Sequence, residues 1–466
     1  MRIRELLHSF KACFLLGITG LIILALLGTF VYFCVYKRVF KGDKKFPKRK
    51  IILGGLLAVY IIMVFGVTIL NRGAYYQGAT SIYFLRSYKE AWNIFSINSW
   101  QFIILNIIMF IPLGFILPLF HKRFRKIYNN VAAGFMLTLF IESVQLIAGL
   151  GVFDIDDIFN NSLGTLIGYG IIMALLTIIK SEKGRWLRAT AFLSPLLITA
   201  AVFIGIFAYY DNKEFGNLRY EHIYRINLEE TNIKLNVSLK DSKDPVPVYK
   251  APKYTKAQSI EWAKDFFDNL GIDESELEID AYNDSVLFSA KAEHEYSIWF
   301  DYVGGSYRFT DFSHSDDALE PVSAEEGLIK AALSDFGVII PKEAEFNNKD
   351  EGQYQWEANS IVESDALFDG FITCSYYSDN SIKELSNTMI EYKKIKDVLI
   401  KSEKKAFEEL TAGKFTYYDA ENISEIIIED IQLEYAMDTK GFYQPVYSFK
   451  TLINGNESYI IIPAME

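Results

Sequence analysis

The sequence predicts two joined folds. Residues 1–210 read as an all-α transmembrane bundle of about six helices, and residues 211–466 as an acidic α+β domain of about three helix-plus-antiparallel-sheet units. Three observations carry this. Six apolar runs fill the first part. The balance of charge reverses near residue 210. In the second part, a helix followed by alternating strands occurs three times.

A bilayer-spanning helix takes roughly 20 apolar residues. The runs 12–36, 51–70, 101–120, 129–149, 157–179 and 189–210 qualify. The first is too long, and lacks the small-residue site, for a cleavable signal peptide. The loop "KRVFKGDKKFPKRK" (37–50) carries eight cations, 121–128 carries four and 180–188 four, whereas 71–100 and 150–156 are poor in them. Cationic loops stay cytoplasmic. Both termini, and with them 211–466, are therefore expected outside the cell membrane. Arg2, Arg4 and Lys11 pull the other way but are outweighed by the eight cations that follow the first run.

Residues 1–210 hold 22 Lys/Arg against 8 Asp/Glu, and the remainder 25 against 50. Such a reversal marks two environments and speaks against nucleic acid as a partner. Cys374 is the single cysteine of the acidic part, so no disulfide within it is expected.

Along the acidic part, "YRINLEETNIKLNVSL" (224–239) alternates like a strand, and "DPVPVYKAP" (244–252) reads as an extended linker. Thr255 with Gln258 forms a capping-box start, followed by Ile260, Ala263, Phe267 and Leu270 at helical spacing. Strands follow at "SVLFSA", "YSIWFDYV" and "SYRFTDF", with Gly304-Gly305 as a hairpin turn. Ser323 with Glu326 opens a second helix, then strands near 354–360, 367–377 and 384–393. A third helix covers 399–412, before "SEIIIEDIQLEYAMD", "YQPVYSFKTLI" and "SYIIIPA", with an Asn454-Gly455 turn. "SHSDD" (313–317) and "EHEY" (293–296) read as solvated polar runs rather than a triad or a metal site. Neither HExxH, GxSxG nor CxxC occurs. No cofactor and no metal is expected.

The functional signal lies in "IESVQLIAGLGVFDIDDIFNNSLG" (141–164), where polar residues interrupt an apolar chain. Ionisable groups at membrane depth are costly and mark paired or functional sites. Glu142 and Gln145 share a helix face in the outer third of their span. Asp154 and Asp156 lie in the short outer loop. Asp157, Asn161, Gly164 and Gly168 share a face of the next span, with Asp157 at its N-terminus, where the helix dipole favours an anion. Gly164 and Gly168 form a GxxxG pair, expected to draw this span against the 129–149 helix. Asn106 is in the same leaflet, with Pro112 and Gly114 deeper. "DIDDIFNNSLGT" is not an EF-hand, since Phe159 and Thr165 stand where Gly and Glu are needed. Arg72, Arg86, Tyr75, Tyr76, Tyr83, Trp92 and Trp100 line the 71–100 loop, the aromatics as an interfacial belt.

Taken together, "LNIIMFIPLGFILPL", "ESVQ" and "FDIDDIFNNSLGTLIGY" resemble the VanZ family of bacterial membrane proteins, over roughly 50–180. The resemblance marks Asn106, Phe110, Pro112, Gly114, Glu142, Gln145, Asp154, Asp156, Asp157, Asn161, Gly164 and Gly168. "FLRSY" (84–88) is similar to the end of a further family segment. One departure is Gly151, where the family commonly has Arg. Either Arg86 or Arg72 replaces that cation, or the acids carry raised pKa values, or the site binds a cation. The founding member is associated with low-level resistance to the glycopeptide teicoplanin, so the resemblance implies a role in envelope or antibiotic response.

Three readings stand. The outer-leaflet cluster binds a lipid-linked envelope precursor or a lipophilic glycopeptide. It is a membrane enzyme on such a substrate, with Glu142 or Asp157 as general base. Or the polar groups only hold helices together, and function lies in the exterior domain. A transporter is disfavoured because no inverted repeat is visible.

Overall fold

A computed structural model describes residues 47–70, 80–180, 183–273, 277–291, 294–313, 319–417 and 422–465. The expected 12–36 span, Arg72, Tyr75 and Tyr76, Glu293 and residues 314–317 of "SHSDD" lie outside the described residues. The chain divides into two compact units, Met1–Lys213 and Glu214–Glu466.

In the first unit, α1 is Lys48–Phe65, continued by a π-helical turn Gly66–Leu70. It is followed by β1 (Thr80–Ser81), α2 (Arg86–Ile94), α3 (Ile97–Phe120), α4 (Ile127–Ala148), β2 (Phe153–Asp154), α5 (Ile155–Ile179) and α6 (Arg185–Asn212). Five of these helices are long and apolar enough to cross a membrane: Lys48–Ile69, α3, α4, α5 and α6. This makes the unit a membrane protein. Each lies within a few residues of a predicted span.

Helix packing here works through small residues. A Cβ on Gly164 or Gly168 would collide with the carbonyl oxygen of Ile107 or Ile111, so α5 lies against the backbone of α3. The GxxxG face thus meets α3, not the 129–149 helix expected from sequence. Thr165 fits between two further glycines, its carbonyl against Gly114 of α3 and its side chain against Gly134 of α4. Lipid offers no hydrophobic drive between helices, so close van der Waals approach replaces it. Pro112 and Pro118 sit inside α3. Proline removes the donor to the carbonyl four residues earlier. For Pro118 that carbonyl is Gly114, and the buried Asn130 amide donates to it at 3.2 Å. Trp92 and Trp100 pack with Phe95, Phe207 and Tyr210, and Trp100 is buried.

The second unit is β-rich with three described helices of eight or more residues: α7 (Lys256–Asn269), α8 (Glu326–Ser334) and α9 (Glu403–Thr411). Between and around them run β3 (Asn232–Leu235), β4 (Pro245–Lys250), β5 (Glu278–Ala281), β6 (Ser285–Lys291), β7 (Glu295–Asp301), β8 (Tyr307–Asp311), β9 (Glu345–Asp350), β10 (Gln353–Glu363), β11 (Ala366–Tyr376), β12 (Ile382–Asn387), β13 (Ile390–Leu399), β14 (Glu425–Met437), β15 (Phe442–Ile453) and β16 (Asn456–Pro463). All fourteen join one sheet, eleven of them along the path β3-β14-β15-β4-β13-β11-β12-β8-β7-β6-β5. β9, β10 and β16 pair off that path. One apolar core packs α7 and α8 on the sheet around Phe267, Phe288, Trp356 and Leu333. A second packs α9 around Leu410, Phe449 and Ile460.

The Thr255–Gln258 capping box is present in both directions. The Gly304-Gly305 and Asn454-Gly455 turns have positive φ at both residues, as tight hairpins require. Four sequence expectations change. The proline segment at 244–252 is a strand, not a linker: β4 pairs with β13 along its length and with β15 only at Tyr249 and Lys250. Its prolines thus occupy a partly unpaired edge, where a missing N–H is tolerated. Only Asn232–Leu235 of 224–239 joins the sheet, in parallel with β14. The 384–393 strand is two, β12 and β13, separated at Thr388-Met389. Ser323 does not cap α8, whose N-cap is Glu325. Glu326 instead pairs with Lys330 at 2.8 Å and accepts from Trp356 Nε1 at 3.4 Å.

Candidate functional site

One face of α4 carries Thr138, Glu142 and Gln145, at spacings of four and three, which aligns them. All three are buried, and each reaches a different element. Thr138 Oγ1 accepts from Asn161 Nδ2 of α5 at 2.8 Å. Glu142 Oε2 accepts from the Asp154 amide at 3.1 Å. Gln145 Nε2 donates to the Thr68 carbonyl at 2.9 Å. Thr68 lies in the π turn that ends α1, where carbonyls lack their usual i+4 partner.

After Gln145 the helix must stop. Gly149 adopts φ +63°, and the Leu150 amide bonds back to the Gln145 carbonyl, which is the Schellman closure. The chain then pairs β2 in parallel with β1, Phe153 against Thr80 and Asp154 against Ser81. Asp154 is the N-cap of α5: its Oδ1 accepts the Asp156 amide at 2.8 Å and its Oδ2 the Ser87 hydroxyl at 3.4 Å. Asp156 is fully buried and receives two amides, Leu85 at 2.6 Å and Ser87 at 2.8 Å. Its carboxylate caps α2 from outside that helix, satisfying orphan donors where the dipole favours negative charge. Asp157 Oδ1 accepts the Asn106 side-chain amide of α3, and Tyr88 donates to Asn160 Oδ1.

Burial holds the Asp154 carboxyl above its ordinary 3.8, and the Asp156 charge adds to this. Hydrogen bonds from the Asp156 amide and Ser87, and the charge of Arg86, act against it. Tyr88 is pushed up to about 12 by burial and then by Asp156 and Asp157. Arg86 also pairs with Glu90 at 2.7 Å. Gly151, where the resemblance implies Arg, is buried.

The structure therefore joins Glu142 to Asp154 through the loop backbone, Asn106 to Asp157 across α3 and α5, and Asn161 to α4 through Thr138. Three acids, Glu142, Asp154 and Asp156, accept backbone amides and shape the loop. Among the described residues, the buried Gln145 Oε1, Asn161 Oδ1 and Asn160 Nδ2 have no hydrogen-bond partner. No group of three or more His, Cys, Asp or Glu suited to a metal occurs among them. Sequence reasoning missed Thr138, Ser87, Asn160 and Thr68. Thr138 is one turn before Glu142 on the same face, a usable signal. The others contribute through backbone geometry or long-range contact and left none.

Comparison with known proteins agrees with this segment. The VanZ/LLP1 family model matches residues 56–177. No curated protein matches. Among solved structures, an uncharacterized protein from Eubacterium rectale ATCC 33656 is similar at 12% identity over 50% of this chain and 87% of that one, with a TM-score of 0.27. The Bacillus megaterium YpeB C-terminal domain is similar at 11% identity over 46% of this chain and 94% of that one, with a TM-score of 0.20. Scores so low carry no argument about fold or function. The family match is different in kind, because it covers the helices and loop whose geometry is described above: at residues 56–177 this chain carries a VanZ/LLP1 domain.

Proposed function

We propose that the VanZ domain of this membrane protein holds an outer-leaflet polar site that binds the headgroup of an envelope lipid or a lipophilic glycopeptide, and that residues 211–466 form an extracytoplasmic domain. The observation that supports this is the pair of buried carbonyl oxygens, Gln145 Oε1 and Asn161 Oδ1, without donors among the described residues. A buried acceptor left so costs about 1–3 kcal/mol. Hydroxyl, amide or ammonium groups of a headgroup would supply the donors. Glu142 lies three residues from Gln145, and Asp157 four from Asn161, on the same helix faces. The cationic segments around Lys122–Arg125 and Arg185–Arg188 support the orientation.

A second reading has its own support. Asp154 and Asp156 are engaged with backbone amides, as expected of a helix-packing network. Glu142→Gln and Asp157→Asn separate the two. Protein purified from its native membrane is compared with wild type for co-purified lipid by mass spectrometry and for thermal stability in detergent. The site reading expects lipid lost and stability kept. If both variants unfold, the network reading replaces it; if both keep the wild-type lipid, the site is elsewhere. Protease added to intact protoplasts tests the orientation, which fails if 211–466 is protected.

A further inference from the structure

The β-rich unit holds a cleft of about 480 Å³ that the VanZ domain does not explain. This is within the range, roughly 300–1,000 Å³, of small-ligand sites. Its apolar wall is aromatic: Tyr254, Trp262, Tyr307 and Phe368. Its polar groups include Lys250 and Lys393, with Glu391 the carboxylate among them.

The two lysines stand directly opposite one another in the β4–β13 register. Like charges so placed repel and destabilise a strand pair. The Phe442 ring offsets part of the Lys250 charge, but among the described residues no carboxylate pairs with either lysine. Lys250 Nζ lies 4.4 Å from the Phe442 ring centroid, and neither lysine forms an ion pair among the described residues. The neighbours on the same strand differ: Lys394 is 2.9 Å from Asp397 and Lys396 is 2.6 Å from Glu214. Acids outnumber bases two to one over residues 211–466, so partners are plentiful. An opposed pair of cations lining an aromatic cleft, with no carboxylate partner among the described residues, is therefore a specific arrangement, not a consequence of composition.

We propose that this cleft binds a short peptide with a free carboxyl end and a bulky apolar side chain. The carboxylate bridges Lys250 and Lys393 and cancels their repulsion. The side chain lies against Trp262 and Tyr307. Glu391, two residues before Lys393 on the same strand face, accepts an N–H of the peptide, which favours a peptide over a simple fatty or aromatic acid.

The test uses the full chain in detergent and isothermal titration calorimetry with the dipeptide Leu-Phe and its C-terminal amide. Leu-Phe is expected to bind about tenfold tighter than the amide, the size of one charge-assisted contact. The Lys250→Gln/Lys393→Gln protein is expected to lose that preference while its melting temperature without peptide stays level or rises. Absence of Leu-Phe binding, equal binding of acid and amide, or a preference kept by the double variant overturns the proposal. A lowered melting temperature in the double variant overturns it too, because the lysines would then be serving the fold.

Discussion

The two units bury polar and apolar groups by opposite rules. Between α3 and α5 the contact is backbone on backbone, made by Gly164 and Gly168 against Ile107 and Ile111. Polar groups tie the helices: Asn106 to Asp157, Asn161 to Thr138, Gln145 to Thr68. In the β-rich unit the core is wide aromatic surface, with Trp356 fully buried and 4.9 Å from Phe346 between ring centroids. Water supplies the drive there, at about 25 cal/mol per Å² of apolar area removed. A helix in lipid gains nothing from burying a leucine it already shared with acyl chains. The difference teaches that small residues are the sensitive ones in the first unit and large ones in the second.

Substitutions can break or sharpen that contrast. The largest effect is expected of Gly164→Leu. The added atoms meet the Ile107 carbonyl, which cannot rotate away, so α3 and α5 must separate. Loss of the folded peak in detergent gel filtration is expected, and a wild-type elution profile would refute the close-packing account. Trp356→Ala should cost about 3–5 kcal/mol by leaving a cavity in the aromatic core. The loss is expected in the unfolding transition of the β-rich unit, followed by its near-ultraviolet circular dichroism, with the helical signal of the first unit unchanged.

Asp156→Asn sharpens the comparison from the polar side. One of the two amides it receives, from Leu85 or Ser87, would face an NH₂ group instead of an oxygen. A cost of about 1–3 kcal/mol in thermal stability is expected, whereas Asp157→Asn, which keeps an acceptor for Asn106, should cost less. Equal losses would show that Asp156 and Asp157 share one role.

The smallest effect concerns pH. The folded Asp154 carboxyl lies above its ordinary 3.8. The folded state then binds more protons than the unfolded one between the two values, so this group's contribution to stability falls as pH rises through that window. Asp154→Asn keeps the N-cap acceptor and should flatten the fall. Melting temperatures taken from pH 4 upward in both proteins check this, and parallel curves would contradict it.

Legibility followed the range of the forces. The spans, the Thr255 cap and the Gly304-Gly305 turn depend on neighbours within a few residues, and the chain shows them directly. The acids at 154, 156 and 157 were equally visible as a cluster, but their separate tasks were not. Asp156 caps a helix that begins some seventy residues earlier, and nothing local to "DIDD" points to Leu85 or Ser87. Ser323 does not cap α8, and Glu326 pairs with Lys330 and with Trp356, the latter thirty residues on, a contact that nothing local to the segment announces.

By itself the sequence determined which segments are long and apolar enough to span a bilayer, where the charge reverses, and that 50–180 is VanZ-like, because hydropathy, charge and motif spacing are properties of the chain read in order. Only the tertiary structure decided that Gly164 meets α3 and not α4, that a proline-rich segment becomes a strand unpaired along one side of its proline end, and that Lys250 stands opposite Lys393. Those outcomes turn on which surfaces approach closely enough to exclude a Cβ or to place two side chains on one face, and contact between distant parts of a chain is settled only when the whole unit packs.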